Sequence, residues 1–294
     1  MTKQIGGLIC PIATPINDVE KLDVASLHKL IDYILPYMDG LFPLGSSGQF
    51  ALISDEVADQ VVDVTVQYVA GRLPVYVGVS GSCTSSAIAN LRRAQKTGVD
   101  YVVVCSSYYY PFNNQEALLG HFMSVADASL KPVILYNIPQ NTGMPLTAAS
   151  AARLATHPNI LGIKDSGGDM FFFQELLALR SDKFVVMQGR EQLAAASLWL
   201  GADGIVSSLP NFGPKLLRDL YDSAKAGDRE QTLVLQRRVT RLATVFDQNY
   251  WLSALMAALC ELNIGNGKAG RPLPVCTFEQ RATIQKLMRE ADLL

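Results

Sequence analysis

A closed (β/α)8 barrel with a C-terminal helical extension is the fold this sequence predicts, and three observations predict it. Short apolar runs recur along the first two-thirds of the chain, helical segments lie between them, and beyond residue 214 only helical patterning remains. The strand candidates are residues 8–13, 40–44, 75–79, 101–105, 133–136, 161–164, 184–187 and 204–207. Most are continuous and not alternating, as expected of parallel strands covered on both faces. Amphipathic segments at 55–69, 85–96, 115–129, 147–155 and 192–200 carry start and stop signals: Ser54 ahead of Asp55 and Glu56, and Gly71, Gly98 and Gly201. A doubly wound open sheet is the competing architecture, but no G-x-G-x-x-G follows the first strand. The segments 215–226, 229–246, 251–262 and 278–291 exceed what closes a barrel. Residues 1–213 are therefore read as barrel, and 214–294 as closing helix and extension within one structural unit.

Composition narrows the function classes. Of 294 residues, 49% are hydrophobic and 18% charged, enough for a real core and too apolar for wholesale disorder. With 25 Lys+Arg against 27 Asp+Glu, the net charge of −2 leaves no electrostatic footprint for nucleic acid or an anionic membrane. No apolar run approaches the roughly 18 residues of a spanning helix. Pro11 and Pro15 break the short apolar run after Lys3, so the N-terminus does not read as a signal peptide. Cys10, Cys83, Cys105, Cys260 and Cys276 are odd in number, scattered and free of any C-x-x-C pattern, which suits free thiols in a reducing cytoplasm.

In a barrel the chemistry gathers where strands end and βα loops begin. Strand two runs into Gly45-Ser46-Ser47-Gly48-Gln49, strand four into Tyr108-Tyr109-Tyr110, strand five into Tyr136-Asn137-Ile138-Pro139 and strand six into Lys164-Asp165-Ser166-Gly167-Gly168. Strand seven ends near Gly189-Arg190, strand eight near Ser207-Ser208. Lys164 closes an apolar run, so its amine should face a confined mouth, where lost hydration favours the neutral, nucleophilic form. Alternatively it pairs with Asp165 or reaches solvent. Tyr136 offers a phenol for proton transfer, or is a satisfied core tyrosine. Ser46 and Ser47 between glycines suit a carboxylate cradle, or a plain turn. The three tyrosines line the site or dock against a second subunit.

Together these stretches resemble the dihydrodipicolinate synthase/N-acetylneuraminate lyase family of Schiff-base (β/α)8 enzymes. The G-[ST]-[ST]-G loop, the paired tyrosine after strand four, Y-N-x-P, and G-x-K about 26 residues later occur in that order, and the likeness spans essentially the whole chain. The resemblance implies that Lys164 condenses with the carbonyl of pyruvate or a related 2-oxo acid, with Tyr136 as general acid/base. It implies that Ser46 links Tyr136 to Tyr109, reached across a dimer interface, and that Ser47 with neighbouring amides, Gly45 included, holds the substrate carboxylate. Val206 matches the position whose carbonyl faces the imine; Ser166 and Gly189 complete the candidate substrate-binding set. No cofactor or metal is implied, and the assembly would be a homotetramer, a dimer of dimers.

The departures concern the substrate. Synthases of the lysine pathway carry an arginine two residues after the Y-N-x-P proline, and this chain has Asn141, which disfavours that activity. Asn141-Thr142-Gly143 and Lys164-Asp165-Ser166 look more like 4-hydroxy-2-oxoglutarate aldolase, or 2-keto-3-deoxy-sugar-acid aldolases. Gln49 and Tyr110 replace a common glutamate and asparagine; the lost charge at 49 leaves a paralogue without turnover as an alternative. Arg190, at the end of strand seven, either clamps a distal substrate carboxylate or pairs with Glu191 or the neighbouring helix. A metal-dependent aldolase needs a ligand cluster, but His28, His121 and His157 are far apart in sequence. A phosphate-binding barrel needs a glycine-rich loop after strand seven or eight, whereas Gly167-Gly168 follows strand six.

Overall fold

The computed structural model describes residues 5–294; Lys3, which entered the reading of the N-terminus, lies outside them. Eight parallel strands are present among the described residues: β1 (Gly7–Cys10), β2 (Gly40–Leu41), β3 (Tyr76–Gly78), β4 (Tyr101–Cys105), β5 (Val133–Asn137), β6 (Ile160–Asp165), β7 (Val185–Gln188) and β8 (Gly204–Val206). They pair in the order β2-β1-β8-β7-β6-β5-β4-β3. A parallel bridge between Leu41 and Val75 closes the ring, so the sheet is the expected barrel.

Period-two alternation sorts each strand into two cores. On β4, Tyr101, Val103 and Cys105 pack inside with Ile134 and Tyr136 of β5 and Met187 of β7. Val102, Val104, Val133, Leu135 and Ile163 face outward under the helices. Both faces are covered, hence the unbroken apolar runs.

The helices between strands are α1 (Val24–Ile34), α2 (Asp55–Val69), α3 (Thr84–Ala94), α4 (Gln115–Ala128), a single turn α5 (Pro139–Thr142), α6 (Ala148–Leu154), α7 (Met170–Leu177) and α8 (Ala194–Trp199). α9 (Pro214–Ala226) packs beside α8 and α10, and the extension comprises α10 (Arg229–Ala243), α11 (Trp251–Glu261) and α12 (Phe278–Glu290). Besides the single turn α5, helices α1 and α7 were not among the sequence candidates. Each begins on an aspartate that accepts backbone N–H bonds: Asp23 from Ser26, and Asp169 from Phe171 and Phe172.

Two expected boundaries shift for identifiable reasons. Strand two, expected over 40–44, ladders only through Leu41. Pro43 has no N–H to donate, and Leu44 takes a left-handed φ of 57° that turns the chain out. Gly78 meets that turn so closely that a Cβ there would lie 1.9 Å from the Leu44 carbonyl oxygen. The helix expected over 229–246 stops at Ala243 and tightens into a 3₁₀ turn, Thr244–Gln248, which carries Phe246 and Asp247 towards the barrel mouth. Among the described residues no helix is long and apolar enough to cross a membrane.

Candidate active site

A cavity of about 260 Å³ opens at the C-terminal ends of the strands. Ser46, Ser47, Tyr136, Lys164, Ser166, Gly189, Arg190 and Val206, all singled out from sequence, line it. Tyr109 does not.

Lys164 owes its direction to strand parity. It shares the inner face of β6 with Gly162, whereas Ile163 and Asp165 face outward. The residue is 4% exposed. Its Nζ lies 4.1 Å from the centre of the Tyr136 ring and 5.5 Å from that of Phe42. β5 and β6 place Tyr136 directly beside Lys164 in register. Among the described residues the amine forms no ion pair, so the alternative of a lysine paired with Asp165 does not hold.

Asp165 belongs to the outer layer. Its Oδ1 accepts from Asn137 Nδ2 at 2.7 Å and from the Gly167 N–H at 3.3 Å, and its buried Oδ2 has no partner. The Asn137 carbonyl oxygen of the side chain accepts the Leu146 N–H, so this pair fastens the end of β6 to the end of β5. Burial is the main cause that pushes the Asp165 carboxyl above its ordinary range. A raised carboxyl favours the native state while protonated, and that contribution fades as pH climbs through the raised value. We therefore expect Asp165→Asn to gain about 1 kcal/mol on the wild type in urea unfolding at pH 8, with the gap closing towards pH 4. An equal gap at both pH values would refute the assignment.

The Ser46–Ser47 loop is fixed, not a free turn. The Ser46 and Tyr136 hydroxyl oxygens are 3.5 Å apart, the outer limit of a hydrogen bond, and Ser47 Oγ lies 2.6 Å from Ser208 Oγ on the β8 side. Behind it Gln49 is buried with φ of 59°. Its Nε2 donates to the Thr14 carbonyl at 2.8 Å, and its Oε1 accepts the Gly270 N–H at 2.7 Å. An amide can donate and accept at once, which a carboxylate cannot. The missing charge at 49 thus leaves the loop anchored at both ends.

After β7 the chain passes close under β6. The Gly189 N–H donates to the Asp165 carbonyl at 2.7 Å, and a Cβ at 189 would sit 2.0 Å from Ser166 Oγ. Only glycine fits that approach. Arg190 Nε donates to the Ser166 carbonyl at 3.0 Å, which also accepts from Gln140 Nε2 at 3.0 Å. Glu191 is not its partner, contrary to one of the two sequence readings. That carboxylate is buried and accepts from Ser207 Oγ at 2.8 Å, and burial pushes it up from its ordinary value.

Tyr109 is 77% exposed and holds φ of 84°, with its ring edge-on to Tyr110 at 4.8 Å. A non-glycine residue in that region costs of order 1–3 kcal/mol. Tyr108 instead turns inward against Phe50. The histidines stay apart: His28 stacks on Tyr68, His121 bonds Thr84 and the Cys105 carbonyl, and His157 bonds Asp127.

Sequence reasoning missed the far wall. Gln192, Phe246, Asp247 and Trp251 also line the cavity, and Glu191 was noted only as a partner for Arg190. Gln192 and Glu191 were legible as neighbours of a strand end. Nothing in the local pattern marks Phe246, Asp247 or Trp251, which the extension folds back over the mouth.

Comparison with known proteins agrees with this geometry. The model of the dihydrodipicolinate synthetase family matches residues 4–291. A 4-hydroxy-tetrahydrodipicolinate synthase of Xanthomonas campestris is 36% identical over 95% of this chain and 92% of its own. One from Methylococcus capsulatus is 30% identical over 99% of this chain and 100% of its own. Among solved structures, YagE, a prophage protein of the dihydrodipicolinic acid synthase family from E. coli K12 in complex with pyruvate, superposes with a TM-score of 0.93. It is 26% identical, with 99% of each chain covered. The chloride-inhibited dihydrodipicolinate synthase from Acinetobacter baumannii, complexed with pyruvate, gives 0.94 at 28% identity, covering 99% of this chain and 100% of its own. With a family match along nearly its whole length and a lysine at the mouth of a matching barrel, this chain belongs to the dihydrodipicolinate synthetase family of Schiff-base carbon–carbon lyases.

Proposed function

We infer that the protein is a pyruvate-dependent aldolase that cleaves or forms a 4-hydroxy-2-oxo acid through an imine on Lys164. The observation that carries this reading is the Lys164 amine, buried at the cavity floor beside the Tyr136 ring and free of any ion pair among the described residues. Nζ attacks the C2 carbonyl, and the carbinolamine loses water to give a protonated imine. The C4 hydroxyl then gives its proton to a base, the C3–C4 bond breaks as C4 leaves as an aldehyde, and the electron pair of that bond passes into the imine to form an enamine. Tyr136 relays protons through these steps; protonation at C3 and hydrolysis release pyruvate and regenerate the amine. Ser47, the Gly45 and Ser46 backbone and the Val206 carbonyl hold the pyruvate end. Ser166 and Gly189 shape the opposite side. The C-terminal helices serve this same site, since Phe246 and Trp251 face into it.

Two observations support a dimer as the working unit: the exposure of Tyr109 and its unfavourable backbone. In that reading Tyr109 completes the Ser46–Tyr136 relay of a neighbouring subunit, within a dimer of dimers. The relatives' names favour a second reading, 4-hydroxy-tetrahydrodipicolinate synthase. Asn141 at the cavity wall, where the family resemblance implies an arginine for synthases of the lysine pathway, speaks against it.

Incubation with pyruvate and borohydride, followed by peptide mapping, tests the reading. A stable adduct on Lys164 is expected, and 4-hydroxy-2-oxo acids should release pyruvate faster than aspartate semialdehyde is consumed. No adduct, under conditions that label a known relative, would discard it.

A further inference from the structure

We propose that Arg190 is the specificity-determining residue of this site and holds the distal carboxylate of a dicarboxylic 4-hydroxy-2-oxo acid. The inference rests on the aldolase reading and selects, within it, diacids over sugar acids that end in a hydroxymethyl group.

Arg190 lines the cavity, and its guanidinium is already aimed. Nε is committed to the Ser166 carbonyl, two residues beyond Lys164 and just past the end of β6, which sets it roughly 7 Å further along the strand direction towards the mouth. Its own N–H donates to Gln188 Oε1 at 2.9 Å, and Gly189 is pressed against β6, so the base of the side chain is fixed from both sides. The two terminal nitrogens have no partner among the described residues.

Every nearby carboxylate is otherwise engaged or out of reach. Glu191 is buried on Ser207, Asp165 lies on the outer face with Asn137, and Asp169 caps α7. Asp247 stands on the rim and forms no ion pair with Arg190. A planar pair of N–H donors without an anion, one tier above an imine-forming lysine, matches a carboxylate at the far end of a short 2-oxo acid. The Arg190 charge also lies near enough to pull on the Asp165 and Glu191 carboxyls, so the protein has placed a cation here without neutralising it by contact. A neutral terminal hydroxyl would leave that cation half-desolvated and unpaired.

The test compares two five-carbon substrates that differ only at C5, 4-hydroxy-2-oxoglutarate and 4,5-dihydroxy-2-oxopentanoate, with pyruvate release as readout. The wild type should prefer the diacid in kcat/KM by about 10²-fold. Arg190→Gln should lose about 10²-fold on the diacid, mainly in KM, and only a few-fold on the hydroxymethyl substrate. Arg190→Lys, which keeps charge but not the fork, should recover part of that loss. Pyruvate labelling of Lys164 should persist in both variants. Equal losses on the two substrates, or no preference in the wild type, overturn the clamp while leaving the aldolase reading intact. A wild-type chain that takes no pyruvate label overturns the aldolase reading, and the clamp with it.

Discussion

Lys164→Arg should abolish turnover, lowering kcat by about 10⁴- to 10⁶-fold, the range seen when a covalent nucleophile is removed. In barrier terms that is about 5–8 kcal/mol. Arginine keeps the positive charge, much of the length and the stacking on the Tyr136 and Phe42 rings, so a purely electrostatic or packing role for Lys164 would survive the change. Covalent chemistry would not, because a guanidinium has no free electron pair to offer a ketone. Two measurements separate the cases: steady-state pyruvate release, and intact mass after borohydride trapping. The variant should show neither release nor adduct while retaining the wild-type urea midpoint within experimental error. Substantial turnover would remove the imine from the mechanism.

Why a single residue could be chosen from sequence follows from strand geometry. An unbroken apolar run ending in lysine leaves only two faces for the side chain, and in a barrel one of those is the interior. Helix 55–69 was legible residue for residue because Ser54 caps it by accepting the Val57 N–H, with Asp55 and Glu56 in its first turn. Strand 101–105 was legible because its five residues are all buried between two layers. The second strand misled because an apolar run says nothing of where pairing stops, and here Pro43 and the left-handed Leu44 stop it.

The site was only half legible for a related reason. Residues that follow strand ends can be placed by topology alone, which is how Ser46, Tyr136 and Arg190 came together in one cavity. Trp251 and Phe246 arrive by the packing of the extension across the mouth, a long-range event with no local signature. The fate of Arg190 was undecidable beforehand because sequence adjacency to Glu191 suggests a pair. In the structure the two side chains part, Glu191 inward to Ser207 and Arg190 over the Ser166 carbonyl.

Tyr136→Phe should cost about 10²- to 10³-fold in kcat, the usual worth of a positioned proton-transfer group. The phenyl ring preserves everything the inner core requires of this residue: the edge contact with Phe42 at 6.5 Å and the surface over which Lys164 lies. What disappears is the hydroxyl that faces Ser46 Oγ. Three steps need a proton moved at that point: dehydration of the carbinolamine, deprotonation of the C4 hydroxyl during cleavage, and return of a proton to the enamine. The variant should therefore still trap pyruvate with borohydride, but at a slower rate, and its KM should change far less than kcat. That split distinguishes a proton relay from a binding role, in which KM would carry the loss. It also distinguishes it from a packing role, because phenylalanine fills the same space and the urea midpoint should hold. Turnover within threefold of wild type would mean that the relay runs through another group, and the 3.5 Å separation of the two hydroxyls would then be structural only.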